Sequence, residues 1–353
     1  MKDIIYMKSA SAVCAQDIFR KDTIPDTLAT TGNNVLNLLE PDYRQYFSIM
    51  QLRRMSKLTK AGLVTAIEAL RQSGIEKPEA IITGTGKGSL TDTEKFLKSI
   101  DEFEEGTLNP SPFIQSTYNS LNGLIGLHHD VDCYNTTYVH RGFSLEHAIL
   151  DAILQIREHQ ISNALVGSFE EITTQHFTIK HKLGYWRKEK VAPESLFNTD
   201  ASGSIAGEGT FFFTLSAAPE NSLAEIRGLR LLFEPDHEAV AAAMKSLLTE
   251  NQLTIEDVDV VVSGRNGDNR FDHYYDALES VSLNHTHITT FKNISGEFDT
   301  ASGFALWMAA SILKNQEIHP QALYRKGTTS TFRHLLIYNH FYGEQHALYL
   351  LKK

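Results

Sequence analysis

Lys292-Asn293-Ile294-Ser295-Gly296-Glu297-Phe298-Asp299-Thr300-Ala301-Ser302-Gly303 leads into an almost wholly apolar stretch, Phe304 to Leu313. Ahead of it, His287 to Phe291 reads as a strand, and Ala301 to Lys314 reads as a helix. The passage is therefore a strand, a turn carrying one lysine and one glutamate among glycines, and a helix with little polar surface. A helix apolar on nearly every side must be buried on nearly every side.

Working outward, short β-rich runs alternate with helical patterns, the mark of an α/β chain. Leu58 to Ser73 carries apolar or small residues at Leu63, Ala66, Ile67 and Leu70, and Gly74 stops it. Ala80 to Thr83 is a strand entering a glycine turn. Ser144 is the expected N-cap of a helix whose apolar face, Leu145, Ala148, Ile149, Ala152, Ile153 and Ile156, runs on toward Gln160. Strands follow at Ala164 to Gly167 and Phe211 to Leu215. The polar stretch Ser216 to Ser222, with Pro219, begins a crossing. The second half repeats the theme: a helix over Glu238 to Glu250, a strand at Val258 to Val262, and closing strands at Leu335 to Tyr338 and Ala347 to Leu350. This predicts two α/β units, 1–220 and 221–353, although no sequence repeat is visible between them.

The chain has 353 residues, enough for a large core, with 42% hydrophobic and 22% charged residues. No apolar run has the length of a membrane span. Met1 to Met7 is too short and too soon acidic for a signal peptide and reads as a first strand. Cys14 and Cys133 are the only cysteines, so a disulfide framework and a Cys-rich metal site are excluded and a cytoplasmic location is expected. A net charge of −10 argues against nucleic-acid binding and against this chain being the main landing surface for an acidic carrier protein.

The opening segment resembles the Lys-x-x-x-Gly-His-x-x-x-Ala-x-Gly motif of the β-ketoacyl synthases. Other segments agree in order. Gly203-Ser204-Ile205-Ala206-Gly207-Glu208-Gly209 is similar to the family's Gly-Glu-Gly segment, and Gly167-Ser168-Phe169-Glu170 to its Gly-Gly-x-Glu. Arg53-Arg54-Met55-Ser56, Ile82 to Gly88, Asn109 to Asn119 and Asn339 to Gly343 match more loosely. The resemblance implies a thiolase-like fold, two related halves in α-β-α-β-α layers. It also exposes what is missing. The position of one catalytic histidine is Glu297, and a carboxylate is an acceptor where an imidazole donates. The nucleophile turn falls at His140-Arg141-Gly142, with no cysteine. The His-Gly-Thr turn is replaced by Ser263-Gly264-Arg265-Asn266. Lys292 remains, and an ion pair with Glu297 is expected to replace the lost network.

That pattern resembles the chain-length factor, the inactive partner of a ketosynthase. More narrowly, Tyr134 to Ser144 and Pro112 to Thr117 resemble ketosynthase-like subunits of aryl polyene and flexirubin-type assembly. The resemblance implies an active ketosynthase as partner, supplying the cysteine and both histidines, with acyl carrier protein met indirectly and no cofactor. Asp132 to Val139 is the strand expected to pair across a two-fold interface, with Phe113, Ile114, Gln115, Ser116, Thr117 and Tyr118 projecting toward the partner's acyl tunnel. Two alternatives stand beside this one. One is an enzyme of the same fold with altered chemistry, through Cys133; the other is a homodimeric acyl-binding scaffold.

Further residues invite a function. A cation at a helix start, as at His140-Arg141, opposes the helix dipole and suits an anion; an ion pair of Arg141 across the interface is the favoured reading. Gly84-x-Gly86-x-Gly88 lacks the spacing of a nucleotide fingerprint and reads as a tight turn. His128-His129-Asp130 and His285-x-His287 read as solvated loops, not metal ligands. Lys180 to Lys190, around Trp186, reads as a basic surface loop, with carrier-protein contact as the minority option. Cys14 has no base near it in sequence.

Overall fold

The computed structural model describes residues 4–30, 32–104, 106–198, 200–280 and 285–353. The main sheet is built from β1 (Ile5–Cys14), β2 (Ala80–Gly84), β3 (Tyr134–Tyr138), β4 (Asn163–Glu170), β5 (Gly209–Ser216), β6 (Ala224–Phe233), β7 (Val260–Ser263), β8 (His287–Thr290), β9 (Leu323–Arg325), β10 (His334–Phe341) and β11 (Gln345–Lys352). The helices are α1 (Lys57–Ser73), α2 (Leu90–Glu102), α3 (Pro110–Ser116), α4 (Ser120–His129), α5 (Ser144–Arg157), α6 (Thr174–Lys182), α7 (His237–Glu250), α8 (Asp272–Ser280) and α9 (Ser302–Asn315), besides single turns. The strand expected over 1–7 has its first three residues outside the described ones.

Strand order is β9-β8-β7-β10-β11-β6-β1-β5-β4-β2-β3. Its two halves repeat one pattern. In the first, β3, β2 and β4 are mutually parallel, and β5 and then β1 join antiparallel. In the second, β8, β7 and β10 are parallel, and β11 and β6 join antiparallel. The halves meet where β1 pairs with β6.

Period-two alternation distributes side chains over distinct layers. Ile82, Val166, Phe211, Phe213, Leu335, Ile337, Tyr349 and Leu351 point into one core that also holds the apolar sides of α5 and α9. Their neighbours Ile81, Leu165 and Phe212 face α1 and α4. Leu336, Tyr338, Leu348 and Leu350 face α7 and α8. The layers are therefore helix, sheet, helix, sheet, helix, with α5 and α9 in the middle. Trp307 and ten other residues of α9 are buried, as a helix without a polar face requires.

The ends of the elements follow local chemistry. Ser56 caps α1 by accepting the Thr59 N–H, and Gly74 closes it in the left-handed region at φ 70°. Ser144 departs from its expected role. A 3₁₀ turn, Arg141–Phe143, precedes it, so Ser144 is the first helical residue. Its hydroxyl accepts the His140 N–H (2.8 Å) and lies 3.0 Å from the Thr85 carbonyl, tying the turn to the end of β2. The helix stops at Arg157, short of Gln160.

The same junction explains Gly84. A Cβ there would lie 2.2 Å from the Ser144 carbonyl carbon and 2.5 Å from the Leu145 nitrogen, both backbone atoms that cannot turn aside. Gly84→Ala is expected to destabilise the chain by about 3 kcal/mol, as overpacking against rigid backbone does; urea unfolding monitored by circular dichroism measures it.

Candidate functional site

Three chain segments converge at the N-terminal ends of α5 and α9. The first is the turn from β3 into α5. Here His140 leaves the extended region, at φ −147° and ψ 45°, and Arg141 is left-handed at φ 51°, so the chain reverses sharply from strand to helix. A non-glycine residue at positive φ is uncommon and marks a strained turn. The Arg141 side chain lies back over the Phe341 ring, 5.2 Å from its centroid, and its Nη1 is 2.7 Å from Glu344 Oε2. Arg141 thus has an ion pair within its own chain. His140 stacks on His147, ring centroids 5.0 Å apart.

The second segment follows β7. Ser263, taken from sequence as a site position, donates to Glu279 (2.8 Å) and faces α8. Arg265 reaches Asp272 (2.8 Å), Asp276 and Glu279 (3.2 Å) on that same helix. The residue that enters the site is Asn266, whose Nδ2 donates to Glu297 Oε2 (2.9 Å). The third segment follows β8. Lys292 opens a single helical turn, Lys292–Ser295, and Gly296 at φ 77° ends it. Lys292 Nζ is 2.8 Å from Glu297 Oε2 and 3.3 Å from the His340 carbonyl, with both side chains fully buried. Burial lowers the Lys292 pKa and raises that of Glu297, and their attraction opposes both shifts.

The space between these segments is nearly filled. A cavity of about 20 Å³ remains, lined by Lys87, Glu170, His176, Lys180, Glu297 and Asp299 among others. That is room for about one water. Glu170 accepts the Gly86 N–H, and burial together with Asp299 raises its pKa well above the usual carboxyl range. Asp299 in turn pairs with Lys87 (3.1 Å). The His176 imidazole is pushed down to about 4 by burial. Lys180 sits 3.8 Å above the Tyr185 ring, between it and Phe341 and Tyr342.

The segment around Lys180 corrects another expectation. It begins as the end of α6 and continues as a loop that exposes Lys188 to Lys190 but buries Trp186 and Arg187, at 3% and 4% exposure, so it is a surface loop only in part. His128 and His129 end α4 rather than lying in a loop. His287 lies in β8 with Nε2 2.8 Å from the Thr329 carbonyl. Among the described residues no group of three or more His, Cys, Asp or Glu is placed to hold a metal. The same described residues contain no helix long and apolar enough to cross a membrane. Gly84 to Gly88 forms the turn after β2, and its Gly86 backbone packs directly on Asp299.

The two thiols are poor nucleophiles. Burial pushes Cys14 up to about 12. Half-buried Cys133 is raised by burial and by Asp132, the reverse of what activates a thiolate. Phe113 to Ser116 belong to α3, a short surface helix, with Phe113 and Ile114 more than half exposed. The Phe113 ring lies against Phe96 (5.2 Å), and Tyr118 covers Gly88. Glu208, of the Gly-Glu-Gly segment, accepts the Leu38 and Ile172 N–H groups (2.7 and 3.0 Å) and pairs with Lys57, pinning two loops.

Matches to known proteins follow this geometry. Residues 33–185 match the family described as β-ketoacyl synthase, N-terminal domain. Three solved structures superpose over all of this chain and all of theirs. The ishigamide ketosynthase/chain length factor does so at TM-score 0.78 and 14% identity. A β-ketoacyl synthase from Burkholderia phymatum does so at 0.77 and 13%. A chain from a type II polyketide synthase acyl-carrier protein in complex with its ketosynthase bound to the hexaketide does so at 0.78 and 12%. The fold is that of the ketosynthases. No curated protein sequence matches. Within this thiolase-like fold the turn at His140 to Gly142, the loop after β7 and the Lys292 to Gly303 segment lie close together.

Two outcomes test the electrostatics. Lys292→Met leaves Glu297 buried without its cation and is expected to cost about 3–5 kcal/mol, while Lys292→Met with Glu297→Met recovers most of that loss; denaturant midpoints of the three proteins decide it. The second concerns Glu146, fully buried on α5. No hydrogen bond of ordinary geometry reaches its oxygens. Burial raises its pKa to about 7, and the nearby Ser302 and Tyr349 hydroxyls offset this only in part. Between the unfolded value near 4.5 and about 7 the folded chain holds the proton and the unfolded chain has released it. Stability therefore falls as pH rises through that window, by at most about 1.4 kcal/mol per unit. Glu146→Gln is expected to remove this slope, its advantage over the parent growing from pH 5 to pH 8 in urea titrations.

Proposed function

We propose that this chain is a non-catalytic, chain-length-factor-like subunit that pairs with an active ketosynthase in polyketide, aryl polyene or fatty-acyl assembly. The observation that carries this reading is the strand-to-helix turn. Its left-handed residue is Arg141, whose side chain is tied to Glu344 and Phe341, while the cavity beside Glu297 and Phe341 holds about one water. Claisen condensation needs a thiolate at such a turn, donors for the developing oxyanion, and room for two acyl groups. The Lys292, Glu297 and Asn266 side chains are bonded to one another instead. The partner then supplies the nucleophile and both imidazoles, and carrier protein reaches this subunit through the partner, in the cytoplasm.

The edge of the sheet supports the pairing. β3 has a neighbour on one side only, β2, and an open edge invites another strand. Exposed Tyr134 and Val139 flank it, and α3 presents Phe113 and Ile114 nearby in sequence. Joining β3 to its counterpart in a partner makes one sheet through two subunits, each with halves 1–220 and 221–353. Side chains from Phe113 to Tyr118 then meet the partner's acyl tunnel, where bulk sets how many extensions fit.

The experiment is intact mass of each chain after co-expression with an active ketosynthase and exposure to an acyl-carrier donor. Acyl mass is expected on the partner alone, and Ile114→Glu is expected to abolish co-purification while leaving this chain folded. Acyl mass on this chain, lost in Cys133→Ser, would overturn the proposal in favour of an acyltransferase. A stable homodimer that ignores the ketosynthase would overturn it in favour of an acyl-binding scaffold.

A further inference from the structure

A second concavity lies away from the site described above. It is a cleft of about 410 Å³ between the start of β1, the last turns of α1, the C-terminal half of α9 and the crossing before β6. Lys314 stands about 18 Å along α9 from Ser302 at 1.5 Å per residue, so the cleft opens at the opposite end of the central helix. Its volume is within the range of small-molecule sites, roughly 300–1,000 Å³.

Its charge runs against that of the chain. Lys8, Arg20, Lys21, Arg71 and Lys314 line it against two carboxylates, Asp22 and Glu68, whereas the whole chain carries −10. These cations are held in place by distinct means. Glu68 is fully buried and is clamped by Arg20 Nε at 3.0 Å and Arg71 Nη2 at 2.8 Å. One carboxylate between two guanidinium groups leaves a full positive charge and unspent N–H donors in a fixed planar arrangement. Arg20 is itself left-handed, at φ 61°, a backbone conformation that turns its side chain in toward Glu68. The Lys8 ammonium is anchored by the carbonyls of Ala218 (3.1 Å) and Glu220, which orient it without neutralising it. Leu223, Ala310 and Trp307 give the other wall an apolar character.

We infer that this cleft binds a phosphorylated small molecule, with its phosphates on Arg20, Arg71 and Lys8 and its organic part against Leu223, Ala310 and Trp307. Guanidinium pairs match phosphate oxygens in geometry, and a carboxylate ligand would leave most of these donors unused. The inference does not rest on the chain-length-factor reading and stands or falls apart from it.

The chain has two tryptophans, so Trp186→Phe leaves Trp307 as a reporter inside the cleft. ADP and inorganic pyrophosphate are titrated at constant ionic strength, by Trp307 emission in that variant and by calorimetry in the unaltered protein. A saturable response to both is expected, tighter for ADP, with Lys8→Ala plus Arg71→Ala raising the half-saturating concentration at least about tenfold. Both changed side chains are on the surface of the cleft, and circular dichroism checks that the fold is kept. No heat and no emission change into the millimolar range would overturn the proposal. So would a response that persists in the double variant or is matched by chloride. Pyrophosphate binding as tightly as ADP would overturn the part assigned to the apolar wall.

Discussion

Everything in this molecule answers to one constraint, the burial of α9 on all sides. A helix carrying Phe304, Trp307, Met308, Ile312 and Leu313 around its whole circumference cannot be satisfied by one sheet. A second sheet must close over it, and α5, almost as apolar, fills the remaining width of the layer. Two half-sheets that share one five-strand order, the second with β9 added at its edge, are joined through β1 and β6 and supply both covers. The two central helices then begin in the same region. Their N-terminal ends bring partial positive charge to one place, and Lys87, Lys180 and Lys292 add to it. Glu170, Glu297 and Asp299 answer that charge from within the same small space.

Most of this architecture is legible in the sequence, because burial writes itself as periodicity. The helical stripe of α5, the all-round apolarity of α9, and the strand runs at β2, β4, β5, β10 and β11 each leave a pattern that one segment carries alone. β6 does not. Ala224 to Phe233 is mostly half-buried and carries Glu225, Arg227 and Arg230 among its apolar residues. Its sequence resembles a charged connector until its partners β11 and β1 are known. The helices α2 and α3 are equally quiet, because they bury little of their apolar surface.

The site was legible in outline and misread in detail, for a physical reason. Spacing along the chain places a turn, but side-chain direction depends on φ. At the turn after β7, only Gly264 and Arg265 separate Ser263, which faces α8, from Asn266, which meets Glu297. No local pattern distinguishes them. Likewise nothing near Arg141 in sequence announces Glu344, some two hundred positions away, which reaches it only because the β10–β11 hairpin folds over the turn. Lys180 and Trp186 misled for the opposite reason. A basic run normally marks a solvated surface, yet here Arg187 is buried among backbone carbonyls, and Lys180 leans on aromatic rings.

Polar contacts that join the two halves of the chain have a further consequence for the fold. Arg141 belongs to the first half of the chain and Glu344 to the second; Lys87 and Asp299 are divided the same way, as are Gln16 and the Ile294 carbonyl it donates to at 2.7 Å. Each bond crosses the boundary between the two α/β units. An active site needs a gap at that boundary for substrate, and the gap leaves polar groups to be satisfied by solvent or ligand. Filling it with complementary charges satisfies those groups internally and locks the halves together. Rigidity of this kind is what the proposed role requires, since a wall that limits chain growth cannot yield.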